Sequence, residues 1–253
     1  MSKKSIFMIH GMSAGSWCWD EFKSFFTKNG YNCITPTLRH HEKGQKTPPP
    51  GLGKTSIRDY AEDLAEKIEK MEEKPILIGH SMGGLLSQIL TSKGLSAKTV
   101  LIAPASPHGL FTLNLIAMKG VRSIFSKWGF WYKPFKQTYE EAVYSMLNCL
   151  PEEKSREVYD KFSYESGRAL CEIGFWLFDN YGSTKVDESK VKTPMLILAG
   201  DKDVFTPPKS ISKLIKKYKN AEYSVFKEHG HWMMQEPGWE KIAQHILDWI
   251  KNE

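Results

Sequence analysis

The stretch Gly79-His80-Ser81-Met82-Gly83 sets a hydroxyl between two glycines. A Ser hydroxyl is a weak nucleophile at neutral pH. It needs a base within hydrogen-bond reach, and the base needs a carboxylate to hold its tautomer. Candidates for both follow downstream: Asp201 and Asp203 in Gly200-Asp201-Lys202-Asp203, then His229 and His231 in Glu228-His229-Gly230-His231-Trp232. Such a set can carry acyl transfer. The chemistry also needs donors for a developing oxyanion. Gly11, in His10-Gly11-Met12, lets the chain turn and brings the Met12 N–H close. The Met82 N–H stands next to Ser81 at the start of a helix, whose dipole favours negative charge.

These residues must be held by elements, and the pattern predicts them. Strands are expected over Ser5–His10, Tyr31–Thr35, Pro75–Gly79, Thr99–Ala103, Pro194–Ala199 and Glu222–Phe226. Helices are expected over Trp17–Lys28, from a Ser56 cap to about Glu73, and over Met82–Lys93, Pro208–Tyr218 and Trp239–Lys251. Ile57, Tyr60, Leu64, Ile68 and Met71 share one face of the second. A Pro- and Gly-rich loop covers Pro36 to about Lys54. Alternation of this kind predicts the α/β class: a mostly parallel sheet of about six strands with helices on both faces. Such sheets carry their sites at the carboxyl ends of the strands, where every candidate above falls.

Between Ala103 and Val191 the alternation stops. No strand is predicted there, and helical patterns fill Gly109–Phe125, Thr138–Leu147, Pro151–Phe162 and Tyr164–Phe178. The chain therefore divides into a core of residues 1–105 and 188–253 and a helical insertion of residues 106–187. The insertion is rich in aromatics, among them Phe111, Trp128, Phe130, Trp131, Tyr132 and Phe135. The expectation is a cap over the site, its aromatics binding the apolar part of a substrate, although they could equally form the insertion's own core.

The 253 residues suffice for one sizeable core, and 41% hydrophobic with 25% charged residues suits a soluble globular protein. The net charge is +6. Its densest run, Lys213, Lys216, Lys217 and Lys219, reads as a solvated helix face and not as a nucleic-acid or membrane patch. Cys18, Cys33, Cys149 and Cys171 form no CxxC pair and are expected as free thiols, with no metal or redox site. His40, His41, His108 and His245 have no motif context. The apolar run Ile6–Ile9 is too short for a signal-peptide core, and none approaches a membrane span. A cytoplasmic protein without cofactor, with no nucleic-acid partner and no integral membrane association, is expected.

Together, His10-Gly11, the Gly79–Gly83 turn, Gly200-x-x-Asp203 and Gly230-His231 resemble the landmarks of the α/β-hydrolase superfamily over nearly the whole chain. The resemblance implies Ser81 as nucleophile, Asp203 and not Asp201 as the acid, His231 and not His229 as the base, and a helical cap. Gly15-Ser16-Trp17-Cys18-Trp19 resembles the start of the methylesterase and hydroxynitrile lyase branch, in which two strands ahead of the His-Gly strand are also lacking. The lyases of that branch carry Lys after the catalytic His and Thr at the position of Gly11; here Trp232 and Gly11 stand there. The implied function is a serine hydrolase cleaving carboxylic esters of small to medium apolar acyl groups, with thioesterase, monoacylglycerol or lysophospholipid lipase activity open to the same machinery. The alternatives are carbon–carbon cleavage, perhydrolysis, or a ligand receptor that keeps the fold without catalysis.

Overall fold

The computed structural model describes residues 4–42, 47–110 and 115–252. Eight strands occur among them: β1 Ser5–Ile9, β2 Asn32–Ile34, β3 Ile76–His80, β4 Lys98–Ile102, β5 Pro134–Phe135, β6 Glu165–Ser166, β7 Met195–Gly200 and β8 Ala221–Phe226. Six of them form one sheet in the order β2-β1-β3-β4-β7-β8, every neighbouring pair parallel. Ile78 pairs with Met8 on one side and Val100 on the other, so β3 lies central. Strands β3 and β7 are buried throughout, as their unbroken apolar runs require when helices cover both faces.

Alternate side chains of the strands meet different helices. Ile6, Met8, Ile78, Val100 and Leu198 share a core with α1 (Asp20–Lys28), through Phe22 and Phe26, and with the C-terminal helix Trp239–Lys251. Phe7, Ile9 and Leu77 face α2 (Ile57–Glu69) and α3 (Met82–Ser92). Leu101, Ile197 and Ala199 face the helix Pro208–Ile215. Ser56 caps α2 in a capping box: it accepts from the Arg58 N–H at 3.1 Å while Asp59 accepts from the Ser56 N–H at 2.8 Å. Met71 falls beyond the end of α2 but still packs against that core.

Residues 106–187 lie outside the large sheet. Their helices are α4 (Leu115–Lys119), α5 (Arg122–Phe125), α6 (Tyr139–Ser145), α7 (Glu152–Asp160) and α8 (Gly167–Gly174), so the helices Pro208–Ile215 and Trp239–Lys251 become α9 and α10. Two expectations need correction. The helix predicted over Gly109–Phe125 is broken at Gly120, where a Cβ would stand 2.4 Å from the Ser145 Cβ; its residues 111–114, Phe111 included, lie outside the described residues. A two-residue antiparallel ribbon, β5 with β6, interrupts what was read as continuous helix from Tyr164. Two residues are too short to leave an alternating pattern in sequence. The ribbon feeds α8 at Gly167, where a Cβ would come 1.8 Å from the Phe130 carbonyl oxygen. The insertion also shares core with the sheet domain: Ala142, Leu147, Val158 and Phe162 pack in one cluster with Trp17 and Trp232.

Candidate active site

Ser81 joins β3 to α3 with φ 53° and ψ −119°, a conformation that costs a non-glycine residue roughly 1–3 kcal/mol. The surroundings hold it there. Its N–H donates to the Ile102 carbonyl at 3.1 Å, and its own carbonyl accepts from the Gly84 and Ala105 N–H groups at 2.9 Å each. The flanking glycines are required by contact: a Cβ on Gly79 would stand 2.3 Å from the Gly83 carbonyl oxygen, and one on Gly83 would stand 2.1 Å from that of Ile9.

The loops after β7 and β8 meet beside this turn. His231 Nδ1 lies 2.9 Å from Asp203 Oδ2, and both side chains are fully buried. Asp203 Oδ1 accepts from the Phe205 and Thr206 N–H groups, each at 2.8 Å, and Oδ2 accepts from the Thr206 hydroxyl at 2.7 Å. Burial alone would raise the Asp203 pKa, but His231 and the Thr206 donors outweigh it and hold the carboxyl below its usual range. With Nδ1 donating to a carboxylate, His231 Nε2 is left as the acceptor, and it is buried without a hydrogen-bond partner.

The neighbouring candidates stand elsewhere. Asp201 is exposed. His229 is buried, with Nδ1 3.0 Å from Glu236 Oε2; Glu236 also accepts from the Gly230 and Trp232 N–H groups at 2.9 and 3.1 Å. His229 thus belongs to a staple that shapes the loop carrying His231. Two further residues escaped the sequence reading. Thr206 touches both Asp203 and His231 Nδ1, the latter at 3.3 Å. His80 donates from Nε2 to the His231 carbonyl at 2.9 Å, and burial, with His231 adjacent, keeps its pKa low and its ring neutral. For His80 the position inside the glycine motif was the available signal; for Thr206 there was none.

Met12 and Met82 line one cavity with Ser81, and among the described residues neither of their N–H groups has a hydrogen-bond partner in the protein. The cavity holds about 60 Å³ and is otherwise walled by Ala105, Ala117, Leu170, Ile173, Gly174, Phe205 and Thr206. Among the described residues, Trp128, Phe130, Trp131, Tyr132 and Phe135, expected over the substrate, do not line it. Phe135 is buried against Val121, Ile124 and Leu170, and Trp128 is 81% exposed. Phe130 and Trp131 line a separate cleft of about 860 Å³, together with Phe175, Phe178, Tyr181 and Cys171. The helix α8 divides the two spaces, with Leu170 and Ile173 toward Ser81 and Cys171 and Glu172 toward the cleft. Among the described residues no group of three His, Cys, Asp or Glu side chains is arranged to hold a metal ion, and no helix is long and apolar enough to cross a membrane. All four cysteines are free thiols.

Comparison with known proteins agrees with this geometry at the level of fold. Among curated proteins, Methylesterase 4 of Arabidopsis thaliana is 30% identical over 105 residues, which is 36% of each chain. The pyrethroid hydrolase of Sphingobium wenxiniae is 24% identical over 150 residues, 50% of this chain and 52% of that one. The chain thus spans about a third to a half of the curated relatives it matches. Among solved structures, an Arabidopsis methylesterase superposes with a TM-score of 0.74 at 14% identity, covering 98% of both chains. A monoacylglycerol lipase of Paleococcus ferrophilus gives 0.72 at 20% identity, covering 98% of this chain and 95% of that one. The model of the alpha/beta hydrolase family matches residues 6–244, and so, from the strained turn at Ser81 to the histidine loop before its last helix, the chain belongs to that family.

Proposed function

We propose that the chain is a serine hydrolase of carboxylic esters, with Ser81 as nucleophile, His231 as base and Asp203 as the residue that orients the base. One observation carries this reading. His231 is fixed through Nδ1 to a buried carboxylate while its Nε2 stays buried and unpartnered, in the loop beside a serine held in strained backbone. His231 Nε2 takes the Ser81 proton as the hydroxyl attacks the ester carbonyl. The tetrahedral oxyanion is met by the N–H groups of Met12 and Met82. The protonated His231 then gives its proton to the leaving alcohol, and the acyl-enzyme is released by water activated in the same way.

The insertion acts as a cap, because Ala117, Leu170, Ile173 and Gly174 close the cavity over Ser81. Its volume of about 60 Å³ is roughly four to six times the 10–15 Å³ that a single water needs, so it admits only a few heavy atoms. One side of the ester is therefore small, a short acyl group or a methoxy group. This narrows the small-to-medium acyl range expected from the aromatics. Two of the proteins compared above, named as methylesterases, support a small alcohol.

The test is hydrolysis of p-nitrophenyl acetate against the octanoate ester, and of methyl esters, together with labelling by a fluorophosphonate. Labelling of wild type that is lost in Ser81→Ala, with acetate or methyl esters preferred, supports the reading. Labelling that survives in Ser81→Ala sinks it.

A further inference from the structure

A second buried polar cluster lies behind the oxyanion loop, and the catalytic reading does not use it. Its centre is Glu165 on β6, fully buried in a sheet domain–insertion contact. The carboxylate accepts four hydrogen bonds. Oε1 takes the Tyr60 hydroxyl at 3.0 Å and the Ser166 N–H at 2.7 Å; Oε2 takes the Ser13 N–H at 3.2 Å and His41 Nε2 at 2.9 Å. All four acceptor positions of the carboxylate are filled, and His41 with the Ser166 and Ser13 N–H donors holds it below its usual pKa, in the ionised form.

The charge on His41 follows from its neighbours. Its Nδ1 lies 2.9 Å from the Arg39 carbonyl, and its Nε2 faces Glu165. Both partners only accept, so both ring nitrogens carry protons and the ring is an imidazolium. The adjacent His10 is the opposite case. Its Nδ1 donates to the Gly11 carbonyl at 2.9 Å, and its Nε2 accepts the Leu38 N–H at 3.1 Å, so it is neutral. Breaking such a buried pair by removing one charge leaves the other uncompensated.

We propose that Glu165 and His41 are positioning residues for the oxyanion hole: anchored to the insertion, the pair pulls on the Ser13 N–H and so sets the Met12 amide. This rests on the reading of Met12 as an oxyanion donor. Ser13 is the residue after Met12 and is held at φ 57°, a conformation that a serine keeps only under restraint. The restraint comes from the insertion twice over, because the Ser13 carbonyl also accepts the Ser163 N–H at 2.9 Å. The Gly11–Ala14 loop has one weak internal bond, Ala14 N–H to the Gly11 carbonyl at 3.4 Å. The cap thereby completes the hole as well as covering it.

The pair also gives the hole a pH dependence. Burial opposes the charge on His41, but Glu165 outweighs it and raises the His41 pKa; burial would raise that of Glu165, but His41 holds it low. The pair is therefore complete below the raised His41 pKa and is lost as pH rises through it. The other groups facing it are His10, whose pKa burial and His41 push down to about 3, Tyr60, whose hydroxyl burial keeps protonated, Glu42, Asp59, and Arg39, which is paired to Asp63. His10 stays neutral, Tyr60 protonated and Arg39 charged between neutral and moderately alkaline pH.

The experiment compares wild type, Glu165→Gln, His41→Gln and Tyr60→Phe in hydrolysis of p-nitrophenyl acetate from pH 6 to pH 10 and in amide exchange of the Gly11–Ala14 loop. Removing one oxyanion donor outright costs about 10²–10³ in kcat, so a displaced donor in Glu165→Gln is expected to cost roughly 10–100-fold, with KM changed far less. His41→Gln is expected to lose the alkaline limb of the wild-type kcat profile, and Tyr60→Phe, which removes one neutral donor, to retain it. Both Gln variants are expected to exchange faster at the Ser13 amide, whatever the activity of the protein. Unchanged exchange there, or an alkaline limb identical in His41→Gln, overturns the proposal. A fall in Tm with unchanged kcat also overturns it, since the pair would then be structural only. A wild type without Ser81-dependent hydrolysis would defeat the functional reading instead, and the exchange data would still judge the positioning.

Discussion

Asp203→Asn tests the site at its most constrained point. Asp203 Oδ1 accepts two backbone N–H groups, from Phe205 and Thr206, at 2.8 Å each. In an asparagine the carbonyl oxygen must take that place, because an NH₂ group there would face two donors. The NH₂ group is then forced into the Oδ2 position, 2.9 Å from His231 Nδ1. Nδ1 must now accept, so the ring proton moves to Nε2, the atom that receives the Ser81 proton in the proposed mechanism. Loss of the correct tautomer in a serine triad costs about 10⁴ in kcat, or roughly 5.5 kcal/mol at 1.36 kcal/mol per tenfold. The Thr206 hydroxyl, now beside a donor, can turn to the Ala103 carbonyl 3.1 Å away, so the fold should survive. Asp201→Asn is the control, since that side chain is exposed and should leave kcat within a few-fold of wild type. The assay is steady-state hydrolysis of p-nitrophenyl acetate with the rate of fluorophosphonate labelling and Tm measured alongside. Asp203→Asn within tenfold of wild type, or Asp201→Asn equally damaging, refutes the reasoning.

Gly83→Ala is expected to cost about 3 kcal/mol or more, a Tm fall of roughly 6–12 °C, because its Cβ would meet the Ile9 and His10 carbonyl oxygens at 2.1 and 2.5 Å; a Tm within 2 °C of wild type would show that the turn can relax. Ile173→Ala removes three carbons from the wall over Ser81 and should raise kcat/KM for the butyrate ester relative to acetate by about tenfold, each accommodated methylene contributing roughly 0.8 kcal/mol; an unchanged ratio would place the acyl group elsewhere. Mandelonitrile should not be cleaved above the buffer rate. The residue after His231 is Trp232, fully buried, its ring stacked with Trp17 at 5.9 Å and its Nε1 donating to Gln235, so no cation stands there to stabilise cyanide; Ser81-dependent breakdown would overturn this.

The parts of the site that could be read in sequence are those that a local constraint writes locally. Gly79 marks the turn because Gly83 and Ser87, within a few residues, leave no room for a side chain, and the apolar runs of β3 and β7 mark a sheet covered on both faces. The choice between Asp201 and Asp203 needed a family pattern, because both sit on one loop and only the fold turns one of them inward. Residues whose partners come from far along the chain left no signal. Glu165 meets His41 across 124 residues, and in sequence each looks like an ordinary surface polar residue. The aromatics misled for a physical reason: composition reports that apolar area exists, not which way it faces. Phe178 is 82% exposed, and among the described residues the insertion's share of the wall over Ser81 is Ala117, Leu170, Ile173 and Gly174.

The backbone at Ser81 carries a consequence for how this chain can change over generations. Its left-handed conformation would be relieved by glycine, and relief of roughly 1–3 kcal/mol exceeds the ~0.5–1 kcal/mol that glycine forfeits in chain entropy. A mutation that deletes the hydroxyl would thus leave a sturdier protein. Selection for thermal endurance or high expression alone would drift toward loss of the serine, and a laboratory campaign that screens on melting temperature would discard the chemistry first. On the proposed reading, only continued demand for turnover keeps a residue at 81 that the fold itself disfavours.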